Sequence, residues 1–271
     1  MSDVKGDLAG ISEAGTPHEK ITERVKHIEI EEFYQFGFPT VFWDLFGKRG
    51  HPVRTTITEM GPILLGRLLD LSDTQEAVLH MGFKIADDHG WLLLDLEDLQ
   101  SLLRWMGNNE QQVKEHYGNI TGSTISSIQR ALLVLEEAGG KQFFGEPELD
   151  LNDLMRQDFS GNSIINVLDA KDLMIDPRIY GTFLLWLLSE MFESLPEVGD
   201  VDKPKLALFF DEAHLIFRDA PKVLVQKIEQ VVRLIRSKGV SVWFVTQNPL
   251  DIPDGIRGQL ANRIMHALRA Y

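Results

Sequence analysis

The last third of the chain constrains the fold most. Two nearly unbroken apolar runs, "KLALFF" ending at Phe210 and "VSVWFVTQ" spanning Val240 to Gln247, flank the segment "APKVLVQKIEQVVRLIRSKG". Runs this short and this apolar predict strands buried on both faces. The segment between them sets Leu224, Ile228, Val231 and Ile235 on one helical stripe. Upstream, "SIINVLDA" (Ser163 to Ala170) reads as another strand. "DPRIYGTFLLWLLSEMFESLP", from Asp176 to just before Pro196, reads as a long helix apolar on nearly every side, which predicts burial between layers. At the end, "NRIMHALRA" reads as a further strand. Strand and helix in alternation predict an α/β core with a mostly parallel sheet covered on both faces.

The first 160 residues are organised differently. "MSDVKGD" is extended, and "TPHEKITERVKH" predicts a short polar helix after Pro17. "TVFWDLF" and "VRTTITEM", joined by "GKRGHP", predict a β-hairpin. From Gly61 to about Gly140 the apolar period changes to three and four, and the segment reads as a helical insertion, with Ser72 as a start signal and Gly139-Gly140 as a stop. The expected organisation is thus an N-terminal part of the core over 1–37, a hairpin with the helical insertion over 38–160, and the rest of the core over 161–271. Trp43, Trp91, Trp105, Trp186 and Trp243 fall on apolar faces and read as core.

Composition excludes several functions. The 271 residues contain no cysteine, which removes disulfides, thiolate zinc sites and cysteine nucleophiles. No signal-peptide pattern opens the chain, and its longest apolar run is too short for a bilayer, so a cytoplasmic location without membrane contact is expected. A net charge of −14 argues against a chain that coats nucleic acid over its whole surface. The charge is uneven, however. Residues 205–271 hold ten Lys/Arg and six Asp/Glu, a net +4, against −18 for residues 1–204.

That basic segment surrounds the chemistry. A buried strand that runs into "DEAH" presents Asp211 and Glu212 at the C-terminal edge of the sheet, where α/β proteins bind ligands. Asp211 suits a Mg²⁺ ion, and Glu212 suits the orientation and deprotonation of an attacking water. A plainer reading is that the acids only open the next helix, where its dipole favours them. Thr246 and Gln247 close the following strand, 35 residues after Glu212, and a Gln there can both donate to a phosphate and accept from a water. Arg233, Arg236, Arg257 and Arg263 are candidate charge-neutralising arginines, with Arg263 set apart by its place beside an apolar run. His214 completes a helicase-like box by coincidence, because the Ser-Ala-Thr partner of such boxes is replaced by Val245-Thr246-Gln247.

A phosphate-binding loop, G-x-x-x-x-G-K-[ST], should accompany such acids. The two Gly-Lys pairs, Gly47-Lys48 and Gly140-Lys141, are followed by Arg49 and Gln142, so neither qualifies. Without that loop most of the binding energy for a triphosphate has no source.

Across nearly the whole chain, "DVKGDLAGISEAG", "FWDLFGKRGHPVRTTITEMGPILLGRLLDLSDTQE", "FLLWLLSEMFESLPEVGDVDKPKLALFFDEAHLIF" and "IEQVVRLIRSKGVSVWFVTQNPLDIPDGIRGQLANRIMHALRAY" occur in an order that resembles a bacterial family of HerA-like ATPases in the HerA/FtsK branch of P-loop NTPases. The resemblance implies a P-loop ATPase sheet of the additional-strand type, with ATP and Mg²⁺ as cofactors. Asp211 is implied as metal ligand, Glu212 as base and Gln247 as γ-phosphate sensor, with Thr246 and Asp3 beside the nucleotide and Arg263 as a candidate finger. It further implies a phosphate loop ahead of "DVKGD", continuation beyond "ALRAY", assembly into a ring that is often hexameric, and DNA as a partner. The strand attached to the missing loop is expected at the centre of the sheet, so its loss should leave unpaired edges. The alternative is a non-catalytic interaction module that keeps the fold and binds no nucleotide.

Overall fold

A computed structural model describes residues 1–175, 177–199, 201–217 and 222–266. Its centre is a six-stranded, wholly parallel sheet in the order β3-β2-β4-β1-β5-β6. The strands are β1 (Ser2–Asp3), β2 (Thr40–Asp44), β3 (His51–Pro52), β4 (Ile165–Asp169), β5 (Leu206–Phe210) and β6 (Val240–Phe244). The apolar runs therefore become parallel strands, as their composition predicts. β2 pairs with β4 over five residues and β5 with β6 over five, and the two halves meet only through the two residues of β1.

After β1 comes α1 (Glu19–His27), the polar helix expected from the sequence. Between β3 and β4 lies the helical insertion: α2 (Ile57–Leu68), α3 (Asp73–His89), α4 (Leu96–Asn108), α5 (Glu110–His116), α6 (Gly122–Leu135) and α7 (Lys141–Phe143). Gln75 accepts from the Ser72 amide at 2.8 Å at the start of α3, and Gly139 takes a left-handed φ of 105° just past α6, close against the Phe46 ring. The core helix α8 (Pro177–Ser194) packs against α2 of the insertion and against α10 (Lys222–Leu234). Tyr180, Phe183, Leu184, Trp186, Leu188 and Met191 are all buried, as a helix apolar on every side requires. The expected start of this helix at Asp176 lies outside the described residues. The short α9 (His214–Phe217) follows β5, and α11 (Asp254–Arg257) follows β6. Among the described residues no helix is long and apolar enough to cross a membrane.

Three expectations need correction. The segment 40–60 is not a hairpin, because β3 returns parallel to β2 and pairs Trp43 with His51 and Asp44 with Pro52. Asp44 coils the connection: its carboxylate accepts from the amides of Phe46, Lys48 and Arg49, each at 2.9 Å. Gly50 then lies so close to the Phe42 carbonyl that a Cβ there would sit 2.6 Å from the oxygen. The β-branched "TTIT" run starts a helix instead, since Thr56 accepts from the Glu59 amide at 3.2 Å and caps α2.

"NRIMHALRA" forms no strand over its described residues 262–266, where Ile264 and Met265 are about three-quarters exposed. Its remaining residues lie outside the described ones. Finally, the sheet face that carries Ala207, Phe209 and Trp243 is only partly covered. Trp243 stacks on Phe209 at 5.5 Å rather than entering the core, and Trp91 likewise stacks on His89 at the surface.

Asp44 is buried and holds the loop between β2 and β3, so its removal strands three amides. Asp44→Ala is expected to lower unfolding stability by about 3 kcal/mol in urea denaturation.

Candidate functional site at the C-terminal edge of the sheet

Parallel strands bring their C-terminal ends to one edge, and here four of them end in or run directly into acids. Asp44 closes β2, Asp169 closes β4, Asp3 closes β1, and Asp211 follows β5, with Asp44 and Asp3 both in register with Asp169. Crowded carboxylates repel, so each needs compensation. Asp44 has its three amides. Asp3 accepts from the amides of Gly6 at 2.5 Å and Leu8 at 3.1 Å. Asp169 accepts from the Lys171 amide at 3.0 Å and pairs with Arg49 at 2.9 Å, while Asp172 takes both Lys48 and Arg49 at 3.1 Å. These two cations hold the Asp172 carboxyl below its ordinary range. Asp211, half-buried, accepts no hydrogen bond from any described residue. It is the uncommitted carboxylate of the row.

Glu212 is built in differently. It is buried, and its backbone adopts a left-handed φ of 47°, a conformation that costs a non-glycine residue roughly 1–3 kcal/mol. The turn is fixed on both sides, by the Ala213 amide bonding the Val245 carbonyl and the Leu215 amide bonding the Glu212 carbonyl, both at 2.9 Å. This turn delivers the carboxylate to three partners. Lys5 Nζ lies 2.5 Å from Oε1, Gln247 Nε2 donates to Oε1 at 3.2 Å and to Oε2 at 3.4 Å, and His214 Nδ1 stands 3.3 Å from Oε2. The His214 contact is a close approach rather than an aligned hydrogen bond, and its Nδ1 has no hydrogen-bond partner. The Lys5 ammonium, seconded by Gln247, holds the Glu212 carboxyl below the usual glutamate range, although burial opposes it. Beneath the edge, burial pushes the Tyr180 phenol up to about 12, so it stays neutral.

The structure thus brings Asp211, Glu212 and Gln247 to one edge and links the last two directly. Thr246 turns away to donate to Asp251 at 2.9 Å, which braces the loop after β6. Asp3 faces its own loop, the turn that carries Lys5. Arg263 is exposed and donates to the Arg257 carbonyl at 3.3 Å, outside the Glu212 cluster. Arg257 is engaged by Asp254 and the Pro249 carbonyl, and Arg233 by Glu229. Sequence reasoning missed Lys5. Its signal is a lone cation between two acids in "DVKGD", directly after a strand that ends at the same edge.

The model of the "Helicase HerA-like C-terminal" family matches residues 1–271, the entire chain. The chain belongs to that HerA-like family. No curated protein matches it in sequence. Among solved structures, VirB4 of Thermoanaerobacter pseudethanolicus is similar, with a TM-score of 0.51 at 16% identity over 90% of this chain and 64% of that one. This likeness supports the α/β fold of the HerA-like chain. The bacterial conjugative coupling protein TrwB, in a form lacking its first 70 residues and bound to sulphate, scores 0.49 at 12% identity over 82% of this chain and 56% of its own. TrwB in complex with ADP and Mg²⁺ scores 0.48 at 12% identity, over 82% and 57%. The HerA-like chain therefore spans between 56% and 64% of the length of these structures.

The Lys5 pair sets a pH dependence. Because the folded pKa of Glu212 is lowered, the stability gained from the pair is present above the ordinary glutamate pKa and is lost as pH falls through the folded value. Melting temperatures of the wild type and Lys5→Met should differ at pH 7 and converge as the pH falls below the ordinary glutamate range.

Proposed function

We propose that this edge is the metal- and water-handling half of an ATP-hydrolysing site, and that the chain is the corresponding part of a HerA-like ring motor that acts on DNA. The observation that carries the reading is the Glu212 turn. A buried glutamate held in a left-handed conformation, hydrogen-bonded by Gln247 and adjacent to an uncommitted aspartate, is costly for packing alone and suited to water activation.

Asp211 fits Mg²⁺, which is commonly held by one or two carboxylates together with phosphate oxygens and waters rather than by a full protein cage. Among the described residues no group of three His, Asp or Glu side chains forms such a cage. Bound Mg²⁺ would neutralise charge on the phosphate oxygens. Glu212 is ionised at neutral pH and takes a proton from a water at its free lone pairs. Gln247 keeps the carboxylate oriented and has its amide oxygen left to accept from the same water. Lys5 is the natural counter-ion: it quiets Glu212 at rest, and its exposed, flexible stem lets it turn toward phosphate when one arrives. Asp3 shapes the loop that presents Lys5, and Thr246 shapes the loop that presents Gln247. The exposed Arg263 is the arginine we assign to a neighbouring subunit's nucleotide.

The residues fit the acidic half of an ATP site and not the phosphate cradle, which the 271 residues do not encode. That absence favours a second reading, an interaction module that binds no nucleotide. Calorimetry on this chain is expected to detect no Mg²⁺-ATP binding at micromolar concentrations. In a longer polypeptide that supplies a phosphate loop ahead of Ser2, Glu212→Gln should cut ATP turnover by roughly 100-fold or more while sparing ATP binding. Unchanged turnover would remove Glu212 from the base role, and a longer polypeptide that binds no ATP would favour the interaction module.

A further inference from the structure

One stretch of the chain has the composition of a packed element and none of the burial. Residues 19–38 comprise α1 and the strap that leads from it toward β2. Ile21, Val25 and Ile28 recur at i, i+4 and i+7, a stripe that ordinarily faces a core, yet α1 buries no residue. The strap, "EIEEFYQFGF" over 29–38, exposes Ile30, Phe33, Tyr34, Phe36 and Phe38, with Tyr34 71% exposed. Single apolar residues scattered over a surface are ordinary, but seven large ones within eighteen residues mark a contact surface.

The strap is held in this outward position. At its start Glu29 takes a left-handed φ of 57° and the Ile30 amide donates to the Val25 carbonyl at 3.1 Å, and at its end the Phe38 amide donates to the Ile11 carbonyl at 3.0 Å. Gly37 is seated so close to the Ser12 carbonyl that a Cβ there would lie 2.2 Å from the oxygen. Phe36 and Phe38, with ring centroids 4.7 Å apart, are thus presented from a fixed backbone. The charges on this surface are divided. The last turn of α1 carries Arg24, Lys26 and His27, whereas the strap carries Glu29, Glu31 and Glu32 and no Lys or Arg. None of these Arg, Lys and Glu side chains forms an ion pair with a described residue.

A surface with a basic part, an acidic part and apolar side chains around both is complementary to itself when turned through a two-fold axis. Its twenty residues match the roughly 20–30 per partner of a standard interface. The acids among the rings disfavour an anionic lipid surface as the occupant. We propose that residues 19–38 form a two-fold contact with a second copy of this chain, in which Arg24 and Lys26 of each copy face Glu31 and Glu32 of the other and the isoleucines and aromatic rings pack around those pairs. Such a contact closes after two copies, unlike the head-to-tail contact from which a ring is built. It does not depend on the nucleotide reading, since none of its residues belongs to the cluster at Glu212.

Sedimentation velocity on this chain across micromolar concentrations should show a reversible monomer–dimer equilibrium. Reversing the acids (Glu31→Lys with Glu32→Lys) or the bases (Arg24→Glu with Lys26→Glu) should each weaken dimerisation by roughly 100-fold, and an equimolar mixture of the two variants should recover it to within about tenfold of the wild type. Phe33→Ser with Tyr34→Ser should abolish the dimer and leave the far-UV circular dichroism unchanged, because both side chains are exposed. A chain that is monomeric throughout that range, self-association that none of these variants changes, or a mixture that recovers nothing would each overturn the proposal.

Discussion

The arrangement depends on one electrostatic constraint: parallel strands place several carboxylates on a single edge, and those charges must be compensated before the edge can exist. Asp44, Asp169 and Asp3 are compensated locally, by backbone amides and by Arg49. Those compensations also build the loops. The Asp44 amide cluster shapes the turn that presents Lys48 and Arg49, and Asp3 shapes the turn that presents Lys5. Glu212 then receives Lys5 across the edge, and Asp211 is left without a hydrogen-bond partner among the described residues. The uncommitted carboxylate of Asp211 is therefore what remains of a charge balance settled elsewhere along the edge.

The same edge ties the sheet together. Leu168 donates to the Met1 carbonyl at 2.8 Å and Ala170 to the Asp3 carbonyl at 2.9 Å, while Ser2 pairs with Phe210, so β1 joins the half containing β2 and β4 to the half containing β5 and β6 just beneath the acids. α8 supports both halves from below with Phe183, Leu184 and Leu187, which are all buried. The geometry of the acidic edge and the integrity of the sheet thus share two residues of backbone, Ser2 and Asp3, and a change that loosens β1 would displace Lys5 from Glu212 as well.

The parts of this architecture with a strong sequence signal were those where burial dictates composition. α8 is apolar because it is enclosed, and β4, β5 and β6 because they pack on the core by at least one face, while Asp211, Glu212 and Gln247 stand out because polar residues interrupt that pattern at a strand end. What the sequence hid is set by side-chain to backbone bonds. The β-branched run at Thr55 to Thr58 has strand composition, but Thr56 capping the Glu59 amide makes it a helix start. The parallel return of β3 depends on one carboxylate, Asp44, accepting three amides, for which residue type alone carries no signal. The signal of Lys5 is weak because a single cation has no period, and its partner lies more than 200 residues away. The apolar stretch at Ile264 and Met265 misled in the opposite sense: composition suited a strand, but its described residues lie exposed and outside the sheet.

The central claim is that Asp211 alone in the row remains open to a cation. Paramagnetic broadening by Mn²⁺, read from amide NMR signals, tests it directly on this chain. Broadening should centre on the amides of Asp211 to Ala213 and of Val4 to Gly6, and should vanish in Asp211→Asn. Broadening spread evenly over the strand ends at Asp44, Asp169 and Asp3, or broadening that survives Asp211→Asn, would contradict the account.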